Sequence, residues 1–188
     1  MKASNKALLV MDIQEGIAQR YANSADFFTP FQQAIKAARE ANIPVIYVRI
    51  AFRDGYPEVS AKNKMFSAIS QNGGFTETAS STQIHAAVAP EHGDAVVIKR
   101  RVSAFSGSDL DVVLRAQQID TLILMGIATS GVVLSTVREA ADRDYSLVVL
   151  SDACIDADPE VQRVLMEKVF PRQADVMSVR DWVARILL

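Results

Sequence analysis

Short apolar runs alternate along the chain with longer stretches in which apolar residues recur at helical spacing. The short runs have no helical period, which is typical of parallel strands that are covered on both faces. Gly, Pro, Asn and Asp residues separate the segments and mark turns. This pattern predicts strands at Ala7–Met11, Val45–Ile50, Asp94–Ile98, Thr121–Gly126, Ser146–Ser151 and Ala174–Ser178.

Amphipathic stretches predict helices between these strands. In the first of them, Phe31, Ile35 and Ala38 fall on one face, as expected for a helix that packs against a sheet. Asp158 and Ser178 precede two later helices and are well placed to cap them. The predicted helices are Phe31–Asn42, Asp109–Gln117 after a Ser108 cap, Ser130–Arg143, Pro159–Phe170 and a last one from Ser178, with a short helix within Ala61–Ile69.

Strands that alternate with helices predict a doubly wound α/β fold in three layers, with a mainly parallel six-stranded sheet. The length of 188 residues is typical of one domain, which we expect to span residues 1–188. The stretch from Ala51 to Pro90 is rich in Gly, Pro, Ser, Thr and Asn, and an irregular segment of that length is unusual in one domain unless it is functional or lightly helical.

Composition narrows the classes of partner. The net charge of −2 lacks the basic excess of a nucleic-acid-binding protein. No apolar run approaches the roughly 18–20 residues that a membrane span needs. The single cysteine excludes an internal disulfide, and Met1 to Lys6 leads into the first strand without a cleavable signal. We therefore expect a cytoplasmic protein that acts on a small molecule.

Charged residues stand where two of the predicted strands end. Asp12 directly follows the first strand, and a carboxylate there is costly unless it is paired or functional; a helix N-cap is the alternative interpretation. Lys99 follows the third strand, where it is either a candidate active ammonium or a surface lysine with an apolar stem. Because ligands of open parallel sheets bind at the carboxyl ends of strands, both are candidate site residues.

The segment Thr121–Ala140 joins a buried strand to a helix through a turn of small and hydroxyl residues. The first N–H groups of a helix have no partner within the helix, and its dipole favours negative charge there. We therefore expect the turn from Ile127 to Gly131 to form a polar pocket.

Three motifs resemble those of the isochorismatase-like hydrolases, also called the cysteine hydrolase superfamily, and the resemblance covers nearly the whole chain. Most members carry a nucleophilic Cys at the position of Val132, whereas the isochorismatases themselves lack that Cys and have Gly there. The motifs are Asp12-x-Gln14, Lys99-x-Arg101-x-Ser103-Ala104-Phe105-x-x-Ser108-x-Leu110 and Gly126-x-x-Thr129-x-x-Val132-Val133-x-x-Thr136-x-Arg138-x-Ala140.

The resemblance implies the strand order 3-2-1-4-5-6, which brings the ends of the first, third and fourth strands around one cleft. It implies catalytic roles for Asp12 and Lys99 beside Val132 at the nucleophile position, a cis peptide bond between Ile127 and Ala128, and a homo-oligomer. The residues that it places at the substrate are Gln14, Phe105, Ile127, Ala128, Thr129, Ser130 and Gly131; for Phe105, core packing is the alternative.

Metal binding is not expected. The metal-binding amidases of this family carry an Asp and closely spaced His residues just after the second strand, but the stretch from Arg49 to Val59 has no His. The two histidines, His85 and His92, lie downstream with Pro90 between them, which is not a recognisable ligand spacing. We expect neither a metal nor another cofactor.

Two further features leave alternatives open. Cys154, the only thiol, follows a different strand from position 132, so we expect a small buried hydrophobic residue rather than a nucleophile. Tyr21, Phe27 or Phe28 either line a substrate mouth or pack locally.

The resemblance implies a small-molecule hydrolase that works through Asp12 and Lys99 without a Cys nucleophile. In the isochorismatases the Asp protonates the enol-pyruvyl carbon of a vinyl ether, a route that needs an Asp pKa raised by burial. The alternative is a non-catalytic descendant of the superfamily that binds a small molecule.

Overall fold

Six parallel strands form one sheet in the computed structural model, which describes residues 5–22, 24 and 26–186. The order is β3-β2-β1-β4-β5-β6, which confirms the predicted topology. β1 is central and pairs with β2 on one side and β4 on the other. The strands are β1 (Lys6–Met11), β2 (Val45–Ile50), β3 (Ala95–Lys99), β4 (Thr121–Ile127), β5 (Ser146–Ile155) and β6 (Asp175–Met177).

Helices connect the strands and surround the sheet. One short helix, α1 (Glu15–Ala18), lies in a region where no helix was predicted from the sequence. The α-helices of the described residues are α1 (Glu15–Ala18), α2 (Thr29–Glu40), α3 (Lys64–Asn72), α4 (Leu110–Ala116), α5 (Leu134–Ala141), α6 (Pro159–Val164) and α7 (Val179–Ile186).

Three predicted elements differ from the observed ones by four residues or more at one end. The helix expected from Ser130 begins with a turn of π-helix at Thr129–Val133, and regular α-helix starts only at Leu134. β5 continues beyond Ser151 to Ile155, so Cys154 lies within the strand and not after it. The helix expected over 159–170 is α-helical only to Val164 and ends in π and 3₁₀ turns.

The sheet centre supplies the core. Residues 7–11 of β1 are at most 2% exposed, as their uninterrupted apolar run predicts for a strand covered on both faces. A smaller apolar cluster of Ile50, Phe52 and Phe66 lies beyond the end of β2. It anchors part of the 51–90 segment, because the Phe52 N–H donates to Phe75 O and the Phe52 carbonyl accepts from the Glu77 N–H, each at 2.9 Å.

Gly126 allows close contact between β1 and β4 beside the site. It pairs with Met11, the residue before Asp12. A Cβ atom at position 126 would lie 2.3 Å from the carbonyl oxygen of Met11. The glycine therefore sets the separation of the two strand ends.

Caps fix several helix starts as the sequence indicates. Asp158 Oδ1 accepts from the N–H groups of Glu160 and Val161 at 2.8 and 3.3 Å. Ser178 Oγ accepts from the Asp181 N–H at 3.1 Å and donates to Asp181 Oδ2. None of the helices in the described residues is long and apolar enough to cross a membrane.

Candidate active site

Asp12 and Lys99 form a buried ion pair at the carboxyl end of the sheet. Asp12 follows β1 and Lys99 is the last residue of β3; Nζ of Lys99 lies 2.8 Å from Oδ2 of Asp12. The two residues are 5% and 1% exposed. Asp12 has φ of +55°, in the left-handed region, where Asp and Asn are tolerated better than most residues. Its side chain points to Lys99, so it does not act as the N-cap that was the alternative interpretation.

The ammonium group of Lys99 is fully occupied. Besides Asp12, it donates to the carbonyl oxygens of Arg101 at 3.0 Å and Val102 at 2.9 Å. An ammonium has three N–H donors, and these three acceptors use all of them. Lys99 therefore holds Asp12 and the loop after β3 in place, and it has no N–H left for a ligand.

The Asp12 carboxyl retains one free oxygen. Oδ1 is buried and has no hydrogen-bond partner among the described residues. The Ile50 N–H donates to Gln14 Oε1 at 2.8 Å, and it also lies close enough to Asp12 to lower the pKa of that carboxyl. Burial raises the pKa of Asp12, and this effect outweighs the lowering by Lys99 and by the Ile50 amide. The raised pKa favours the protonated carboxyl, and Oδ1 is the oxygen without a partner that can carry the proton.

The turn after β4 contains the predicted cis peptide bond between Ile127 and Ala128. The Ala128 carbonyl accepts from the N–H groups of Gly131 and Val133 at 3.1 and 3.4 Å. The Ser130 N–H donates to Oδ2 of Asp156 at 2.7 Å. All three N–H groups are hydrogen-bonded within the protein. The anion bound at this turn is therefore the Asp156 carboxylate, and these groups are not available to an anionic ligand.

Asp156 is held ionised by its contacts. Burial pushes the pKa of Asp156 upward, but hydrogen bonds from Ser130 and from the backbone of the following residues leave it below its ordinary value. The carboxylate ties the end of β5 to the turn after β4, and it fixes the backbone beside the cis bond.

A cavity of about 360 Å³ opens next to Asp12. Its wall is mainly apolar, and its charged residues are Asp12, Lys99 and Arg20. The complete lining is Asp12, Ile17, Arg20, Tyr21, Ile50, Met65, Phe66, Ile69, Phe75, Lys99, Val102, Ile127, Ala128, Gly131 and Val132. A larger open depression of about 820 Å³ runs along the outer edge of β3 and contains neither Asp12 nor Lys99.

Six predicted site residues meet at this cavity, and four do not. Those that meet are Asp12, Lys99, Ile127, Ala128, Gly131 and Val132. Thr129 and Ser130 are absent from the lining: Thr129 is fully buried with a hydroxyl that has no partner among the described residues, and Ser130 is exposed. The turn is therefore less polar toward the cavity than its hydroxyl residues suggested.

Gln14 and Phe105 support the structure from outside the cavity. The Gln14 side chain is fully buried and donates to the carbonyl oxygens of Ile50 and Thr82 at 2.9 and 2.8 Å. Phe105 lies in the core, with its ring centroid 5.9 Å from that of Tyr145. Core packing, the alternative for Phe105, is what the structure shows.

Sequence reasoning missed much of the apolar wall. α3 and the strand-like stretch after it contribute Met65, Phe66, Ile69 and Phe75. The helical spacing of the first three was a usable signal, but it does not say which structure the helix faces. Tyr21 does line the cavity, whereas Phe27 and Phe28 pack against each other and Phe28 stacks on His85.

Cys154 lacks the properties of a nucleophilic cysteine. It is fully buried in β5, and burial raises the pKa of its thiol to about 12. A thiolate is the reactive form, so this thiol is inert at neutral pH. Within the described ranges, no group of three or more His, Cys, Asp or Glu residues is placed to hold a metal ion.

Comparisons with known proteins cover nearly the whole chain. A family model for the isochorismatase domain matches residues 6–181. The isochorismatase family protein YecD of Escherichia coli O157:H7 is 34% identical over 184 residues, covering 96% of each chain. The ureidoacrylate amidohydrolase RutB of Stutzerimonas stutzeri (strain A1501) is 35% identical over 211 residues, covering 99% of this chain and 82% of that protein.

The fold has solved relatives. The structure of a cysteine hydrolase from Pseudomonas syringae pv. phaseolicola 1448A matches with a TM-score of 0.87 at 26% identity, covering 100% of this chain and 94% of that one. The similarity therefore includes the strand ends that carry Asp12, Lys99 and the turn after β4.

Proposed function

The chain belongs to the isochorismatase family, and from this membership and the cleft geometry we propose that it hydrolyses a small molecule through Asp12 without a thiol nucleophile. The observation that carries the proposal is a buried carboxyl with a raised pKa and an unpaired Oδ1 atom, on a residue that lines a cavity of about 360 Å³. A group in this state is a proton donor.

Hydrolysis of a vinyl ether is the reaction that needs only such a donor. Asp12 transfers the Oδ1 proton to the terminal carbon of the enol ether, and a C–H bond forms as the double bond is used. Water adds to the resulting oxocarbenium carbon, and the adduct breaks its C–O bond to give a ketone and an alcohol. The proton released from water returns to Asp12, so the net reaction consumes one water.

Lys99 acts through Asp12 and not on the substrate. Its positive charge, 2.8 Å from Oδ2, stabilises the carboxylate that remains after proton transfer. The remaining two N–H groups hold the loop after β3, so the pair stays oriented throughout the reaction. Lys99 is thus a positioning residue for the acid.

Val132 argues against the acyl transfer of amidase members. It lines the cavity beside Asp12, is 2% exposed, and has no nucleophilic atom. RutB is named as an amidohydrolase, and the resemblance places the nucleophilic Cys of such enzymes at this position. Vinyl-ether hydrolysis does not require that group, so it agrees better with Val132.

The second candidate is a binding protein without turnover. Val132 favours it, because loss of a nucleophile with retention of the cavity is what a non-catalytic descendant would show. Such a protein binds its ligand at the Asp12 cavity and releases it unchanged.

Pyruvate release from isochorismate separates the two functions. The purified protein is incubated with isochorismate, pyruvate is quantified, and binding of isochorismate is measured in parallel by calorimetry. Pyruvate formation that is saturable in substrate supports the hydrolase. Binding without pyruvate formation supports the second candidate for this compound and overturns isochorismate hydrolysis.

A further inference from the structure

Among the charged residues that line the cavity, one basic side chain has no ion-pair partner in the described part of the chain. Lys99 contacts Asp12, and all three N–H groups of Lys99 are bonded within the chain. The third charged residue of the lining, Arg20, is exposed and makes no ion pair within the described part of the chain. Only Arg20 can therefore offer charged N–H donors to a ligand in this cavity.

Tyr21 follows Arg20 in the chain, lines the same cavity and is close enough to feel the charge of Arg20. Burial and the charge of Asp156 raise the pKa of the Tyr21 phenol, and Arg20 opposes them. The phenol is therefore protonated at neutral pH and can donate a hydrogen bond. Asp156 accepts from the Ser130 N–H, so its carboxylate is already bonded within the chain.

The backbone that carries these two residues is firmly docked. Arg20 and Tyr21 continue the turn of α1, donating from their N–H groups to Ile17 and Ala18 at 3.1 and 2.9 Å. α1 lies against Ser81, because a Cβ atom at Gly16 would come within 2.8 Å of the Ser81 Cβ. These contacts order the backbone from which the Arg20 and Tyr21 side chains extend.

We propose that Arg20 and Tyr21 bind the carboxylate of an organic acid whose apolar body lies against α3 and whose reacting bond reaches Asp12. Ile17, Met65, Phe66 and Ile69 are among the apolar residues that line the same cavity. A guanidinium binds a carboxylate through paired N–H donors, and the phenol adds a further donor. This assignment rests on the proposed function for the position of the reacting bond, but not for the recognition of the acid.

Matched acids and amides test the assignment. Binding of trans-cinnamate and of trans-cinnamamide to the full chain is measured by calorimetry, because the two share shape and differ in charge. We expect the acid to bind about five to ten times more tightly than the amide. Arg20→Gln is expected to reduce this ratio to about one, and Tyr21→Phe to reduce it by about half.

Arg180→Gln is the matched control, since the Arg180 side chain is 93% exposed on α7 and does not line the cavity. It should keep the wild-type ratio. High salt should weaken binding of the acid and leave the amide unchanged, because the Arg20 charge is exposed. Equal binding of acid and amide by the wild type, binding of neither, or an unchanged ratio in Arg20→Gln would overturn the proposal.

The readout is independent of catalysis, so failure of the two proposals can be told apart. If wild type and Asp12→Asn show the same preference for the acid over the amide but neither turns over substrate, the hydrolase proposal fails. The proposal that Arg20 and Tyr21 bind a carboxylate is then retained. If substrate is turned over but the acid and the amide bind equally well, the carboxylate-binding proposal fails and the hydrolase proposal is retained.

Discussion

Nζ of Lys99 lies 2.8 Å from Oδ2 of Asp12, and their side chains are only 1% and 7% exposed. Two charges removed from water to this extent depend on each other, because either one alone carries a large desolvation cost. The same burial keeps a proton on Asp12 at a pH where an exposed carboxyl is ionised. The pair thus links the stability of the fold to the chemistry of the cavity.

Replacing Lys99 by Met is expected to move the pH range of activity. Lys99 lowers the pKa of Asp12, so its removal raises that pKa further. An acid catalyst works while it is protonated, and activity falls as the pH rises through its pKa. The decline of kcat/KM with rising pH should therefore occur at higher pH in Lys99→Met than in the wild type.

The control for this prediction is Lys36→Met, because the Lys36 side chain is 77% exposed. Its pH profile should match that of the wild type. A Lys99→Met profile that declines at the wild-type pH, or at a lower one, would show that Asp12 is not the group that titrates. Loss of the partner charge should also lower the free energy of unfolding at alkaline pH, by up to about 3–5 kcal/mol.

Asp12→Asn should change how stability depends on pH. The folded-state pKa of Asp12 is raised above the ordinary 3.8, so the unfolded chain releases this proton at lower pH than the folded chain does. The stability that Asp12 contributes through this difference is fully present below its pKa in the unfolded chain. It is lost as the pH rises through its pKa in the folded protein. The unfolding free energy of wild type minus that of Asp12→Asn should therefore fall over this range. Urea unfolding at a series of pH values measures it, and a difference that rises with pH would contradict the assigned shift.

Gly126→Ala is expected to destabilise the fold at the site. The new methyl group would lie 2.3 Å from Met11 O and 2.9 Å from Met11 Cβ, so β1 and β4 must separate. Overpacking of this kind costs about 1–3 kcal/mol. Gln33→Ala serves as the comparison, because Gln33 is exposed on α2 and its replacement adds no atom to a crowded position. Thermal unfolding of the two variants tests the prediction, and an equal loss of stability in both would count against the close approach.

Cys154→Ala should leave activity unchanged. The thiol is buried, and its sulfur lies 3.8 Å from Leu124 O. Its pKa is raised to about 12, so the reactive thiolate does not form at neutral pH. Folded wild-type protein should also resist alkylation by iodoacetamide. Val132→Cys provides a positive control, because a thiol there lines the cavity beside Asp12 and should be alkylated much faster. Activity that disappears in Cys154→Ala, with the fold retained, would reopen this residue as a nucleophile.

The sheet and the Asp12–Lys99 pair were predictable from the sequence for different reasons. Central strands such as Ala7–Met11 are apolar throughout, and burial on both faces follows from that pattern. Two charged residues at strand ends were ambiguous in isolation, since each had an ordinary structural alternative. The family resemblance supplied the strand order that places them together.

The lining of the cavity was less predictable because it depends on tertiary docking. Gln14 belongs to a family motif, yet its amide bonds the backbone of Ile50 and Thr82 and does not reach the cavity. Thr129 likewise turns inward. Conversely, Phe66 and Ile69 reach the cavity because α3 docks over the end of β2, which spacing within the helix cannot reveal.

The start of the helix after β4 also could not be predicted from the local sequence pattern. A helix was predicted from Ser130, but regular α-helix begins only at Leu134, and Gly131 in the preceding turn has a non-helical φ of −96° and ψ of −105°. The geometry there is set by contacts of neighbouring elements, such as the bond from Ser130 to Asp156. These partners are 26 residues apart in the chain, beyond the reach of a local pattern.

Turnover by Asp12→Asn beside the wild type tests the central claim most directly. Asn preserves the shape of the side chain and tolerates the positive φ of +55° at this position, but it has no acidic proton to donate. With isochorismate as substrate and pyruvate as readout, we predict a loss of about 10²–10⁴-fold in kcat, with the fold intact by circular dichroism and with isochorismate still bound. Pyruvate release at the wild-type rate by folded Asp12→Asn would contradict the account, because the reaction would then not depend on a proton from this carboxyl.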